Sequence, residues 1–244
     1  MNKQSILSYV KLYPSILARH HIFLEDRDLA AIYRLILLVF ELDDLYDRIR
    51  LYSLKKSELI KIEQEMISLI PNCNPIGVQA ITSVFQAMKD ESLLKADRSL
   101  NLNQYLSVCR QSIGSSIIAA YLASKKQLPL NIWYSDFVMS FNNEINELIR
   151  LANDLLDIDT EKLRNNNEVS QIKASCFFAS KTQFKSYFLY RYIVHRLRYF
   201  LYLFRFKYLK LDFSSKEYIQ AIACSESVLE LAFQAYIKDR NSCQ

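Results

Sequence analysis

The sequence contains very little glycine and proline. Its 244 residues include only two glycines and four prolines. Strand-rich folds and phosphate-binding loops need tight turns, and tight turns depend largely on these two residue types. Because Gly77 and Gly114 stand alone, the glycine patterns of dinucleotide-binding and P-loop folds are absent. The composition therefore predicts an all-α fold.

Paired cysteines and long apolar segments are also absent. Five cysteines occur without CxxC spacing, which excludes a zinc knuckle and disfavours a disulfide framework. Charged residues interrupt the apolar runs before they reach membrane-spanning length, and the N-terminus lacks the long apolar run of a signal peptide. We expect a cytoplasmic protein with one domain over residues 1–244.

The charge balance says little about partners. Lys and Arg exceed Asp and Glu by 31 to 26, a net charge of +5. This mild excess is compatible with an anionic ligand or a membrane surface, but it is too small to indicate nucleic acid. The three histidines form no HExxH motif and no recognisable nucleophile–base pair. Zinc hydrolysis and nucleophilic catalysis are therefore disfavoured.

Apolar periodicity predicts a helix in almost every segment. The predicted helices cover about 5–18, 26–48, 53–69, 76–94, 102–123, 132–157, 169–179, 182–210 and 214–239. A polar stretch at 159–167 is predicted as the longest interruption.

The predicted helix 182–210 is unusually rich in Phe and Tyr, which alternate with Arg191, His195, Arg198 and Arg205. Three interpretations fit this pattern. The helix can be a core helix with a basic solvated face, the wall of an aromatic pocket, or a helix that lies on a membrane surface.

A first acidic cluster, Asp43, Asp44 and Asp47, ends the second predicted helix. Asp43 and Asp47 are four residues apart, so a helix places both on one face. Carboxylates this close repel each other, and the helix dipole also disfavours anions at a C-terminal end. A divalent cation would relieve both effects, and Mg²⁺ prefers carboxylate ligands. The alternative is a solvated helix end with Arg48 and Arg50 as local partners.

A second cluster, Asn153, Asp157 and Glu161, has a spacing of four and four. If the helix continues, the three side chains form one stripe about 12 Å long. One carboxamide and two carboxylates in a row can chelate a hard cation. Arg150, one turn earlier, adds a positive charge suited to phosphate. The alternative is a charged helix end that enters a loop at 165–167.

The two clusters together resemble the metal-binding motifs of class I terpene synthases. DDLYD at 43–47 is similar to the DDxxD motif of that family, and NDLLDIDTE at 153–161 is similar to its second motif, (N/D)Dxx(S/T)xxxE. In the family the motifs occur in this order, on two helices that face each other across a cavity of a helical bundle. The resemblance assigns Mg²⁺, about three ions, to six residues: Asp43, Asp44, Asp47, Asn153, Asp157 and Glu161.

The resemblance extends to basic residues and to one glycine. Arg110, with Ile113 and Gly114 after it, is similar to the segment that carries the diphosphate-sensing arginine and the adjacent helix break of the family. A glycine inside a helix costs about 1 kcal/mol relative to alanine, which favours a special role for Gly114. The resemblance implies catalytic roles for Arg110, Gly114 and Arg240. The implied diphosphate ligands are Arg110, Arg150, Arg164 and Arg240.

Three positions depart from the family pattern. Asp157 stands where the family usually has Ser or Thr, Asn241 stands where it has the Tyr of an Arg-Tyr pair, and Asn165 stands where it often has Gly after the basic residue. NDLLD can therefore also be interpreted as a second DDxxD-like motif, as in prenyl diphosphate synthases that elongate chains. A prenyltransferase remains the nearer alternative to a cyclase.

The function implied by the resemblance is that of a carbon–oxygen lyase of isoprenoid biosynthesis. Farnesyl or geranylgeranyl diphosphate would be ionised with Mg²⁺, and the carbocation would cyclise to a sesquiterpene or diterpene. Side chains near the motifs are candidates for the cavity: Tyr33, Phe40, Ile113, Trp133, Phe137 and Phe141. The family is often homodimeric. The distant alternative is a non-enzymatic helical protein that docks on membranes through residues 182–210.

Overall fold

The computed structural model describes residues 11–48, 56–94, 102–164, 180–208 and 216–242. Within these stretches only the backbone is described for 154–164 and for several helix ends, among them 47–48 and 236–242. Every regular element in the described stretches is a helix, which confirms the all-α prediction. No described helix is both long enough and apolar enough to cross a membrane.

The described residues form ten α-helices. They are α1 (Tyr13–Arg19), α2 (Asp26–Arg48), α3 (Lys56–Leu69), α4 (Pro75–Leu94), α5 (Leu102–Ser112), α6 (Ser115–Lys125), α7 (Leu130–Trp133), α8 (Asp136–Arg164), α9 (Lys181–Tyr208) and α10 (Lys216–Ser242). A short 3-10 helix, Pro71–Cys73, connects α3 to α4. The helix predicted at 169–179 lies outside the described residues.

The central helix is α6. Nine of its eleven residues are buried, as expected for a helix that is apolar on every side. It contacts α2 and α4, and it also contacts α8 and α10. Because α2 and α8 carry the two acidic clusters, α6 contacts both helices on which the predicted site depends.

The start of α2 is fixed to the end of α6 by a buried carboxylate. Asp28 accepts the backbone N–H of Glu25 at 3.1 Å, which caps the first turn of α2. Tyr121 donates its hydroxyl to Asp28 at 3.0 Å, and Lys125 Nζ lies 2.9 Å from the same oxygen. Since residues late in α6 meet residues early in α2, the two helices run antiparallel.

Two predicted helix boundaries differ from those observed. The helix predicted over 102–123 is divided into α5 and α6, because Gly114 has a left-handed backbone conformation. The helix predicted to end near Asp157 continues to Arg164. Residues 161–164 are Glu, Lys, Leu and Arg, all good helix formers, so the polar character of this stretch does not end the helix.

Candidate functional site

The junction between α5 and α6 touches both helices that carry acidic clusters. Gly114 has φ of 75°, a conformation that residues with a Cβ rarely adopt. A Cβ at this position would lie 2.5 Å from Cγ1 of Val39 on α2. The next residue, Ser115, donates its hydroxyl to Oδ1 of Asn146 on α8 at 2.6 Å. The junction is therefore packed between α2 and α8.

Helical spacing connects these contacts to the acidic clusters. Asp43 follows Val39 by one turn of α2, and Arg150 follows Asn146 by one turn of α8. Asn153 comes about one turn after Arg150. Residues three or four apart share one face of a helix. The junction therefore packs against the face of α2 that carries Asp43 and against the face of α8 that carries Arg150.

The first cluster lies at an exposed helix end. The side chains of Asp43 and Asp44 are exposed, and α2 continues through Asp47 to Arg48. The side chain of Asp47 is outside the described set. Asp43 and Asp47 therefore keep the four-residue helical spacing on which the motif prediction depends.

Asp44 lines a groove of about 330 Å³ between α2 and α3. Most of the lining is charged: Arg34, Glu41, Asp44, Leu45, Glu58, Lys61, Ile62 and Glu65. Arg34 donates two hydrogen bonds to Glu65, at 2.6 and 2.9 Å, and a third to Glu41 at 3.2 Å. Its guanidinium is thus paired with carboxylates of the protein. The charged lining makes this groove a poor site for an isoprenoid chain.

The second cluster lies on an unbroken helix. Because α8 runs from Asp136 to Arg164, Asn153, Asp157 and Glu161 are held at successive turns of one helix. Asn153 is half-buried. The side chains of Asp157, Glu161 and Arg164 lie outside the described set, and so does that of Arg240 on α10. The continuous helix that the predicted stripe of Asn153, Asp157 and Glu161 requires is therefore present.

The C-terminal end of α4 approaches both cluster-bearing helices. Glu91 Oε1 lies 3.2 Å from Arg150 of α8, and Glu91 also accepts a short hydrogen bond from Ser112 at the end of α5. Burial raises the pKa of Tyr46 on α2, and nearby acidic residues, Asp90 among them, add to this effect. Sequence reasoning missed Glu91. The sequence pattern that could have identified it is a charged residue on the buried face of α4, three residues after the buried Met88.

The two described arginines of the site have different environments. Arg150 pairs with Glu91 and lies over the ring of Tyr105, 5.8 Å from its centre. Arg110 is in the last turn of α5, and its buried Nε has no hydrogen-bond partner in the described structure. The charge of Arg110 acts on Glu147 of α8. Burial raises the pKa of Glu147, and the charges of Arg191 and Arg110 only partly oppose this effect.

A layer of buried charge continues from Glu147 along α8, α9 and α10. We call it the buried charge layer, and its acidic and histidine members are less than 7% exposed: Glu144, Glu147, His195 and Glu226. His195 Nε2 lies 3.0 Å from Glu226 Oε1, and its Nδ1 lies 4.0 Å from Glu144 Oε2. Buried carboxylates require such partners because desolvation of an isolated charge is very unfavourable.

Arginines of α9 complete the buried charge layer. Arg198 donates to Glu144 at 3.0 Å, and Arg196 donates to Glu226 at 3.4 Å. Arg191 Nε lies 2.8 Å from Glu147 Oε1, although the two groups are not aligned as a hydrogen bond. The layer therefore holds α9 against α8 and α10 by ion pairs, in addition to its apolar contacts.

The cavity candidates are divided between the core and the surface. Trp133 and Phe141 are buried, and Phe137 is partly buried, with its ring centre 6.2 Å from that of Phe141. Phe141 also packs against His195 of the buried charge layer, 5.3 Å between ring centres. These residues belong to the packed interior between α8 and its neighbours.

The remaining candidates lie nearer to α2. Tyr33 packs beside Leu37, outside the main core cluster, and Phe40 is 37% exposed. Ile113 is partly buried at the α5–α6 junction, where it packs against the core. Ile113 is thus the candidate that the structure brings next to Gly114 and its contact with α2.

Among the described side chains, no group of three or more His, Cys, Asp or Glu residues is arranged to hold a metal ion. The predicted ligands Asp47, Asp157 and Glu161 are not among those side chains. Comparisons with protein-family models, curated proteins and solved structures find no match to this chain.

Proposed function

We propose that the protein is a class I terpene synthase-like enzyme that ionises an allylic isoprenoid diphosphate with the help of Mg²⁺. The observation that carries this proposal is the α5–α6 junction. Gly114 packs against Val39 of α2, and Ser115 is hydrogen-bonded to Asn146 of α8. A helix break that follows an arginine and contacts both acid-bearing helices is suited to respond to an anion bound between them.

The donor set of the two clusters is appropriate for Mg²⁺. Asp43 and Asp47 supply carboxylates at one helix spacing, and Asn153, Asp157 and Glu161 supply a carboxamide and two carboxylates at another. Mg²⁺ prefers oxygen ligands of this kind. It is usually bound by one or two protein carboxylates, together with phosphate oxygens of the substrate and water. When bound, Mg²⁺ would neutralise the charge of the diphosphate and favour its departure as a leaving group.

The arginines would bind and orient the diphosphate. Arg150 is held in place by Glu91 and Tyr105, and its guanidinium has the positive charge and the planar N–H donors that suit phosphate oxygens. Arg110 has a buried Nε without a hydrogen bond in the described structure, four residues before the break at Gly114. An oxygen of the diphosphate would satisfy this group. Arg164 and Arg240 are the further diphosphate ligands that the motif similarity suggests.

Apolar and aromatic side chains of the interior would protect the carbocation from water. Phe137 and Phe141 present aromatic rings on α8, and Ile113 follows Arg110 at the break. Aromatic faces stabilise cations, and an apolar surrounding excludes water that would quench the reaction early. The released diphosphate can accept the final proton, so the proposal does not require a protein base.

The experiment that tests this proposal is a product profile. The purified protein is incubated with geranyl, farnesyl and geranylgeranyl diphosphate and Mg²⁺, with chelator controls, and products are identified by mass spectrometry. We expect a cyclic hydrocarbon or alcohol from at least one substrate alone. Absence of product and of released diphosphate with all three substrates would contradict the proposal.

A prenyltransferase is the second candidate, and Asp157 is the residue that favours it. The unbroken α8 places Asn153 and Asp157 one turn apart, as in a DDxxD-like motif. Addition of isopentenyl diphosphate to the same reactions separates the two functions. A longer prenyl diphosphate formed only with this acceptor would identify a transferase.

A further inference from the structure

Helix α9 carries apolar side chains on two faces, one toward the protein interior and one toward solvent. Its inner face contributes Phe184, which is completely buried, and Phe188 and Tyr192, which are partly buried against the core. Its outer face carries six large apolar side chains that are 49% to 65% exposed: Leu189, Tyr190, Ile193, Leu197, Phe200 and Leu201. Their spacing of mostly three or four residues places them along one side of the helix. We call this set the outer stripe.

The outer stripe differs from the basic solvated face that is one of the sequence interpretations of this helix. Contiguous exposed apolar patches are uncommon on soluble monomers and usually mark an interaction surface. The stripe spans more than three turns, from Leu189 to Leu201. It therefore requires a partner with an extended apolar surface.

The charges of α9 indicate what kind of partner fits. The 28 residues of the helix include seven Lys and Arg and no Asp or Glu. Arg196 and Arg198 flank the stripe on opposite sides, and their side chains remain 49% and 61% exposed although each also contacts a buried glutamate. On such a surface the apolar side chains can insert into a partner, and the arginines can attract its anionic groups.

We propose that the outer stripe of α9 binds an anionic lipid surface, with the helix lying in the interface. Interfacial helices typically combine large apolar and aromatic residues with flanking Lys and Arg, and they do not need the length of a spanning segment. Anionic headgroups attract the cations, while the apolar side chains insert at the boundary of the acyl chains. The inference is independent of the proposed enzymatic function.

A second copy of this chain fits the stripe less well than a lipid surface does. In a twofold dimer the same patch occurs on both partners. Two α9 helices facing each other would bring together the partly exposed Arg196 and Arg198 of both copies, with no acidic residue of α9 to compensate them. Juxtaposed like charges oppose such pairing, whereas an anionic bilayer complements them.

The test is co-sedimentation of the full chain with vesicles. One set contains phosphatidylcholine only, and the other contains about 30% phosphatidylserine in phosphatidylcholine. We expect at least about tenfold stronger binding to the anionic vesicles, decreasing as salt increases. The triple variant Ile193→Ser, Leu197→Ser, Phe200→Ser should lose at least about tenfold in binding, because its apolar insertion is removed.

A matched variant controls for the loss of apolar surface in general. Phe23→Ser, Leu130→Ser, Ile219→Ser changes three exposed apolar residues outside α9 and should bind like the unmodified protein. Circular dichroism of both variants checks that the fold is kept. Equal loss in both variants, or no binding of the unmodified protein to anionic vesicles, would overturn the inference. So would an unmodified dimer that the α9 variant converts to a monomer, as measured by light scattering, because the stripe would then join two copies of the chain.

Discussion

Ser115 and Asn146 form a buried hydrogen bond of 2.6 Å that joins the start of α6 to α8. Ser115 directly follows Gly114, and Asn146 precedes Arg150 by one turn of α8. The helix break is thereby mechanically connected to the helix that carries the second acidic cluster. If ligand binding shifts the junction, this bond transmits the shift to α8, and Val39 transmits it to α2.

Gly114→Ala should destabilise the protein by about 2–5 kcal/mol. A non-glycine residue in the left-handed region costs roughly 1–2 kcal/mol, and overpacking of a core contact costs about 1–3 kcal/mol. Both apply here, since φ is 75° and the new Cβ would lie 2.5 Å from Val39 Cγ1. Urea unfolding of the two proteins measures the difference.

The variant Val39→Ala separates the two causes. It removes the atom that the new Cβ would meet but leaves the backbone conformation of Gly114 unchanged. In this background Gly114→Ala should cost only about 1–2 kcal/mol. An equal cost in both backgrounds would show that the contact with α2 is not tight.

The buried charge layer should be sensitive to loss of one carboxylate. Glu226→Gln removes the charge paired with the buried His195 and with Arg196, and we expect a loss of about 3 kcal/mol in unfolding free energy. Glu230→Gln, one turn later on α10, is the matched control. Its partners Arg19 and His20 form a more exposed contact, so the loss should stay below about 1 kcal/mol. Similar losses for both variants would contradict the account of the layer.

Asp28 should make stability depend on pH in the acidic range. Burial alone would raise the pKa of Asp28, but hydrogen bonds from Lys125, the backbone of Glu25 and Tyr121 outweigh it, so the pKa lies below its ordinary value of 3.8. A lowered folded-state pKa means that the unfolded chain binds the proton more readily. The stabilisation is therefore complete above about pH 4 and is lost as the pH falls through the lower folded-state pKa.

Unfolding curves between pH 2 and pH 6 check this prediction. Asp28→Asn should flatten the pH dependence of the unfolding free energy, because the titrating group is removed. Asp26→Asn changes an exposed residue of the same helical turn and should leave the slope unchanged. A steeper or unaltered slope in Asp28→Asn would count against the assigned role.

Asp157 allows the two enzymatic proposals to be distinguished by substitution. If the second cluster is a variant synthase motif, Asp157→Ser restores the usual family residue and should keep Mg²⁺-dependent turnover within about tenfold, while Asp157→Leu should abolish it. If the cluster acts as a prenyltransferase motif, both substitutions should reduce turnover strongly. Steady-state rates of diphosphate release measure the difference.

The sequence was sufficient for the fold class but not for the break in the helix predicted over 102–123. Ile113 and Ile117 are four residues apart, so the apolar pattern continues across Gly114 and gives no signal of a left-handed residue. The contact that makes glycine necessary comes from Val39, which is far away in the sequence. The motif similarity and the cost of a glycine inside a helix were the two signals of a special role at this position.

The buried charges could not be predicted for a related reason. Glu226 and His195 are 31 residues apart, and Arg198 and Glu144 are 54 residues apart, so no local spacing reveals that they pair. Likewise, α9 carries aromatic and basic residues on every side, and tertiary packing decides which face is buried. The apolar periodicity of the sequence therefore could not predict which face of α9 carries the exposed outer stripe.

The central claim, that the two acidic clusters act together on a diphosphate, is tested most directly by Mg²⁺-dependent diphosphate release from farnesyl and geranylgeranyl diphosphate. The proteins to compare are the unmodified chain, Asp43→Asn with Asp47→Asn, and Asp157→Leu, with the exposed Asp136→Asn as control. We predict release by the unmodified chain and the control, and a loss of at least about 100-fold in either cluster variant. No release by the unmodified chain, or equal rates in all four proteins, would contradict the claim.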